Sequence, residues 1–143
     1  SLENSPEVYY ALKKMDEVGI DLMLDVHGDE AIPYNFVAGS EGIPSYHEKM
    51  AILEDTFKRF WMDTCPDFQD THNYGKDEPG SANLTVCSNQ IAERFDCLSF
   101  TIEMPFKDND DIPNERYGWS AERSMSLGAS VLQPVLFVID DLI

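Results

Sequence analysis

The sequence predicts an α/β domain, part of a mixed, largely parallel sheet flanked by helices. Three observations carry this expectation. Helix-like and strand-like patterns alternate along the chain. One strand-like run, Ile20 to Val26, is apolar at nearly every position, the pattern of a strand covered on both faces. The 143 residues, 43% of them hydrophobic, suffice for a single core and are too apolar for a disordered acidic tail.

The elements follow in order. Ser5 can cap a first helix, with Pro6 at its first position and Glu7 at its positive end. Val8, Leu12 and Met15 recur at helical spacing, and Gly19 supplies the stop. The strand Ile20 to Val26 comes next, and Asp25 and His27 bring polarity to its carboxyl end. Pro33 to Ala38 reads as a second short strand. A second helix starts at Ser45, where Ser45-Tyr46-His47-Glu48 has the form of a capping box, and ends at Cys65-Pro66. Asp67 to Gly80 is a polar loop. Asn83 to Phe95 reads as a third helix entered from Ser81. Asp96 turns into Cys97 to Ile102, a strong strand that stops at Glu103. Lys107 to Gly118 is an acidic loop, and Ser120 to Ile143 a long last helix kinked by Pro134.

Composition narrows the function classes. Ten Lys and Arg against 27 Asp and Glu give a net charge of −17, which opposes nucleic acids and anionic membranes as partners. No apolar run approaches the ~18 residues of a membrane span. The polar start Ser1-Leu2-Glu3-Asn4 has no signal-peptide character. It also lacks an initiator Met, so a piece of a longer protein is expected. Three cysteines without a CxxC pair suit reduced, small apolar residues in a cytoplasmic protein rather than a disulfide framework.

Candidate chemistry gathers at two strand ends, Leu24-Asp25-Val26-His27-Gly28 and Phe100-Thr101-Ile102-Glu103. If the strands are parallel neighbours, His27 and Glu103 meet on one rim, where open α/β sheets bind ligands. Neutral imidazole is a common zinc ligand, and a nearby carboxylate can take a proton from an activated water. Asp25 lies two residues from His27, on the same strand face, and can orient the ring. Gly28 permits a sharp turn or a close approach. By periodicity alone these signals are weak: a lone His at a strand end is a ligand in a minority of cases, and a Glu there is more often a solvated terminator. His27-Gly28-Asp29-Glu30 also matches HxxE, which with His72 would make a different metal set. The crowded Asp108 to Asp111 lacks the rest of a calcium loop and reads as a solvated turn. His47, at a helix start, reads as structural.

The stretch Leu22-Met-Leu-Asp-Val-His-Gly-Asp-Glu30, with Pro33-Tyr-Asn-Phe36, resembles the strand of the third zinc ligand in M14 metallocarboxypeptidases, nearest the cytosolic branch and its bacterial relatives. Ser99-Phe-Thr-Ile-Glu-Met-Pro-Phe-Lys-Asp108 resembles that family's strand ending in the catalytic glutamate. The resemblance runs from about Ser5 to Ile143 and implies that residues 1–143 form the carboxyl-terminal half of a catalytic domain. It implies Zn2+ as the cofactor of the complete enzyme, His27 as a metal ligand, Glu103 as general base and Tyr74 as the mobile, substrate-contacting tyrosine. The implied partner is a peptide or protein carboxyl terminus, an acidic one among the candidates, with Arg94, Lys76 or Lys107 as its contact. The family's HxxE ligands, its arginine and its Asn-Arg pair lie on segments preceding these residues. The chain alone is therefore expected to hold little metal and to be inactive. The resemblance also implies that Leu98–Ile102 is an internal strand left with a bare edge, which predicts self-association or an amino-terminal companion segment. The alternative class is a noncatalytic α/β interaction module.

Overall fold

The computed structural model describes residues 1–142. The elements run α1 (Pro6–Val18), β1 (Leu22–Asp29), β2 (Phe36–Ala38), α2 (Glu48–Thr64), α3 (Cys87–Phe95), β3 (Leu98–Pro105), α4 (Ala121–Ser130) and α5 (Leu132–Val138), closed by a 3-10 turn at Ile139–Asp141. They build a mixed three-stranded sheet in the order β1-β3-β2, with β1 parallel and β2 antiparallel to β3.

β3 is the central strand and carries the core. Leu98, Phe100 and Ile102 alternate on one face, as the two-residue period requires, and join Phe57 and Trp61 of α2, Leu127 of α4 and Val138 of α5. The Trp61 ring stacks on Phe68 at 4.1 Å, and its indole N–H donates to Ser130 Oγ at 2.7 Å. The opposite face of β3 meets α3, where Ser88 Oγ lies 2.9 Å from Thr101 Oγ1.

The expected bare edge therefore falls elsewhere. β3 is paired on both sides; it is β1 that has a partner on one side only among the described residues. β1 is also less covered than its apolar sequence predicts, with Leu22 to Leu24 half-buried and Val26 exposed. α1, which precedes it in the chain, buries none of its residues fully and leaves Val8, Tyr9 and Tyr10 open. An Arg94–Asp16 ion pair at 2.7 Å ties α1 to α3.

Several local expectations are corrected. α2 is capped by His47, whose Nδ1 accepts the Met50 N–H at 3.3 Å. Ser45 is drawn off to Glu93, donating both its N–H and its hydroxyl to that carboxylate at 2.9 and 2.8 Å. α3 starts at Cys87 because Asn83 closes a side-chain turn first, accepting from the Thr85 N–H and hydroxyl. The last helix breaks at Val131 rather than bending at Pro134. Pro134 has no N–H for the carbonyl of Ser130, four residues back, so the first helix ends there. Asp108 is no solvated residue: Arg123 donates to it at 3.1 Å while also holding Asp67. Of the cysteines, all unpaired, Cys65 and Cys97 are buried as expected and Cys87 is exposed. No helix among the described residues is long and apolar enough to cross a membrane.

Candidate active site

The parallel pairing of β1 with β3 puts Leu22 opposite Leu98 and, five residues on, His27 opposite Glu103. Side chains in register on parallel neighbours share a face, so the imidazole and the carboxylate stand side by side at the carboxyl ends of both strands. Asp25 shares that face and stands beside the ring, with Asp25 Oδ2 3.1 Å from His27 Nε2.

β1 runs past its predicted end, and Asp29 is its last residue. Positions 25, 27 and 29 thus line one face. Asp29 is anchored by accepting the Ala31 and Ile32 N–H groups at Oδ1, both at 2.6 Å. Its Oδ2 accepts the hydroxyl of Tyr74, and the same hydroxyl lies 3.1 Å from Glu103 Oε1. Tyr74 is steadied by an edge-on contact with Phe36, 4.9 Å between centroids. Gly28 makes no turn. It sits inside β1, and a Cβ there would meet the Phe106 ring at 2.6 Å.

The electrostatics follow from burial among acids. Burial pushes the Glu103 carboxyl above its ordinary value, and Asp29 and Asp25 add to the rise; Tyr74 and His27 oppose it. Glu103 is 6% exposed, and its Oε2 is a buried oxygen with no partner among the described residues. The Tyr74 hydrogen bond, helped by the two backbone N–H groups, outweighs burial and holds Asp29 below the usual carboxylate range. Burial, then the hydrogen bond to Asp29 and the charge of Glu103, push the Tyr74 phenol up, so it is a donor at any physiological pH.

These residues open onto a cavity of about 440 Å3. Its floor is Thr101, Ser88 and Cys87, and one wall is Ala38, Gly39 and Glu41. That wall is braced from behind by Glu54, which accepts the Ser40 N–H at 2.8 Å and the Tyr46 hydroxyl at 2.9 Å. Lys58 spans Glu41 and Asp70, and Lys76 meets Glu41 at 3.2 Å.

The structure thus brings together His27, Glu103 and Tyr74. It does not assemble the HxxE alternative: His72 stacks on Tyr34 at 4.3 Å, and no group of three or more His, Cys, Asp or Glu among the described residues could hold a metal ion. These residues alone do not fit a catalytic zinc, which takes about three protein ligands; one imidazole beside an unpartnered carboxyl oxygen is part of such a set. Arg94, Lys76 and Lys107 do not line the cavity. Sequence reasoning missed Asp29 and the floor residues Ser88 and Thr101. The available signal was the alternation Asp25, His27, Asp29, obscured by ending the strand before Gly28.

No family model matches the chain. It is 46% identical over 140 residues to an uncharacterized protein of Zymomonas mobilis, covering 98% of this chain and 37% of that one. A metallo-carboxypeptidase from Pseudomonas aeruginosa, solved in complex with (2-guanidinoethylmercapto)succinic acid, superposes with a TM-score of 0.97 at 45% identity, over 100% of this chain and 38% of that one. A metallo-carboxypeptidase from Burkholderia cenocepacia gives a TM-score of 0.93 at 42% identity, over 99% of this chain and 37% of that one. The chain thus has the fold of the metallo-carboxypeptidases, and spans well under half the length of the relatives it matches.

Proposed function

We propose that residues 1–143 are the carboxyl-terminal half of the catalytic domain of a zinc metallocarboxypeptidase of the M14 class, acting in the cytoplasm. The observation that supports it most is the register of His27 with Glu103, which sets a ring nitrogen and an unpartnered carboxyl oxygen at one rim.

In this reading His27 contributes one metal ligand, and segments outside these residues contribute the others. When bound, zinc supplies Lewis acidity toward water and the scissile carbonyl. Asp25, 3.1 Å from Nε2, stands where it can orient the ring. Glu103 is the general base: its carboxylate takes a proton from the attacking water and passes it to the nitrogen of the leaving amine. Its burial makes it a stronger base than a solvated glutamate. Tyr74 keeps its proton, and its hydroxyl can turn from Asp29 and Glu103 to a substrate oxygen. Grip on the substrate's terminal carboxylate falls to segments outside this chain, so the 143 residues alone are inactive. The free edge of β1 is where a companion segment, or a second copy, pairs.

The test is zinc content and cleavage of carboxyl-terminal peptide bonds by the natural protein containing this chain. Glu103→Gln retains zinc and loses at least ~100-fold in kcat/KM, the low end for general-base loss. His27→Ala loses zinc. An active Glu103→Gln protein, or zinc held without His27, refutes the assignment; a wild type with neither zinc nor cleavage leaves the interaction-module reading.

A further inference from the structure

We propose that Asp29 is a positioning residue for Tyr74: its buried carboxylate latches the tip of the 67–80 loop over the rim and presets the tyrosine beside Glu103. What the tyrosine then does rests on the peptidase reading. The latch itself stands on contacts within this chain.

Asp29 ends β1 and is 7% exposed. A carboxylate so enclosed needs donors for both of its oxygens. Oδ1 takes the Ala31 and Ile32 N–H groups of the turn that follows. No ion pair with a lysine, arginine or histidine includes Asp29 among the described residues. Oδ2 is left to the hydroxyl of Tyr74, 45 positions along the chain. The buried anion thus calls for that one side chain.

The rest of the loop is fastened on either side of its tip. Before it, the Gln69 N–H donates to the Asn35 carbonyl at 3.2 Å, and His72 stacks on Tyr34. After it, Asp77 packs against Gly42, and the Ala82 N–H donates to the Gly42 carbonyl at 3.0 Å. Between these, Tyr74 is exposed, and nothing lies within 4 Å of where a Cβ on Gly75 would sit. Lys76 reaches Glu41, but its side chain is 71% exposed, and an ion pair facing solvent contributes little. Phe36 supports the tyrosine ring edge-on without fixing its hydroxyl. The bond to Asp29, made to a buried charged acceptor, is therefore the contact that decides where the tip lies. With it in place the phenol oxygen already stands 3.1 Å from Glu103, and only its O–H has to turn toward a substrate. Without it the substrate must order the loop, and apparent affinity falls with the fraction of molecules whose loop is in place.

The test uses Asp29→Ser in the natural protein, because a serine hydroxyl still accepts from the turn's N–H groups but is too short to reach Tyr74. Amide hydrogen exchange across residues 73–76 rises about tenfold or more in Asp29→Ser, equally in Tyr74→Phe, and no further in the double variant. With peptide substrates Asp29→Ser raises KM about tenfold, as loss of a hydrogen bond to a charged group implies, while kcat stays within about threefold and zinc is kept. Asp29→Asn, whose amide still bonds the phenol oxygen, stays within about threefold of wild type in both constants. In the Tyr74→Phe background Asp29→Ser changes KM by less than about twofold. Loop exchange unmoved by Asp29→Ser, a KM unmoved or a fall in kcat in its place, or a KM rise that persists without the Tyr74 hydroxyl overturns the inference. If the wild type cleaves no peptide, loop exchange decides. Exchange raised by each single substitution and no further by the pair upholds the latch while the peptidase reading falls; unmoved exchange overturns both.

Discussion

Replacing Glu54 by glutamine isolates the cost of one buried carboxyl. Glu54 is 2% exposed, yet both its oxygens are engaged, by the Ser40 N–H and the Tyr46 hydroxyl. Burial, reinforced by the neighbouring Glu41, pushes it up to about 7 from an ordinary 4.5. Between those two values the folded chain holds a proton that the unfolded chain has released. Stability is therefore greatest below the unfolded value and is lost as pH rises through about 7. The difference of about 2.5 pH units corresponds to ~3 kcal/mol at ~1.36 kcal/mol per unit. Glutamine keeps the packing and carries no charge. Its carbonyl accepts the Ser40 N–H, and its amide donates to a Tyr46 oxygen turned to accept. Some gain is returned, because Lys58 loses a nearby anion while keeping Glu41 and Asp70. Glu54→Gln is thus expected to be ~1–3 kcal/mol more stable than wild type at pH 8 and to converge with it below about pH 4.5. Urea unfolding from pH 4 to 8.5 reads both. Parallel pH profiles, or a less stable variant at pH 8, would refute the account of this site.

Ser130→Ala leaves the Trp61 indole N–H without its acceptor inside the core, and denaturant midpoints should report a loss of ~1–3 kcal/mol with an unchanged slope. Tyr74→Phe removes a hydrogen bond that holds Glu103 down, so the acid limb of the kcat/KM profile of the natural protein moves to higher pH, with zinc content unchanged. The same substitution also releases Asp29 upward, because that bond is the largest influence lowering it.

Much of this fold is legible because strong local signals agree with tertiary need. α1 begins at Pro6 and stops before Gly19, whose φ of 77° suits a residue without a Cβ. The dense apolar run from Cys97 to Ile102 marks β3, and Asp96, at φ 53°, makes the turn before it. His27 and Glu103 could be singled out because each interrupts such a run. Features that depend on partners were not legible. Ser45 has the composition of a cap, but Glu93, far along the chain, claims its donors. Asp29 lies beyond a glycine that reads as a stop, while β3 supplies a register partner through Pro105 and carries β1 onward. The reach of Tyr74 to Glu103 is set by how the 67–80 loop folds over β2, and no periodicity encodes that.

The two halves of the rim are held with unequal stiffness. Glu103 rides on a strand with ladder bonds to both neighbours, whereas His27 rides on one bonded to β3 alone among the described residues. Backbone amides of β1 that point away from β3 have no strand partner among the described residues, so this ribbon breathes more freely than the one beside it. The carboxylate is the fixed jaw and the imidazole the compliant one. Whatever docks along the outer margin of β1 therefore sets the spacing between them, although it touches neither.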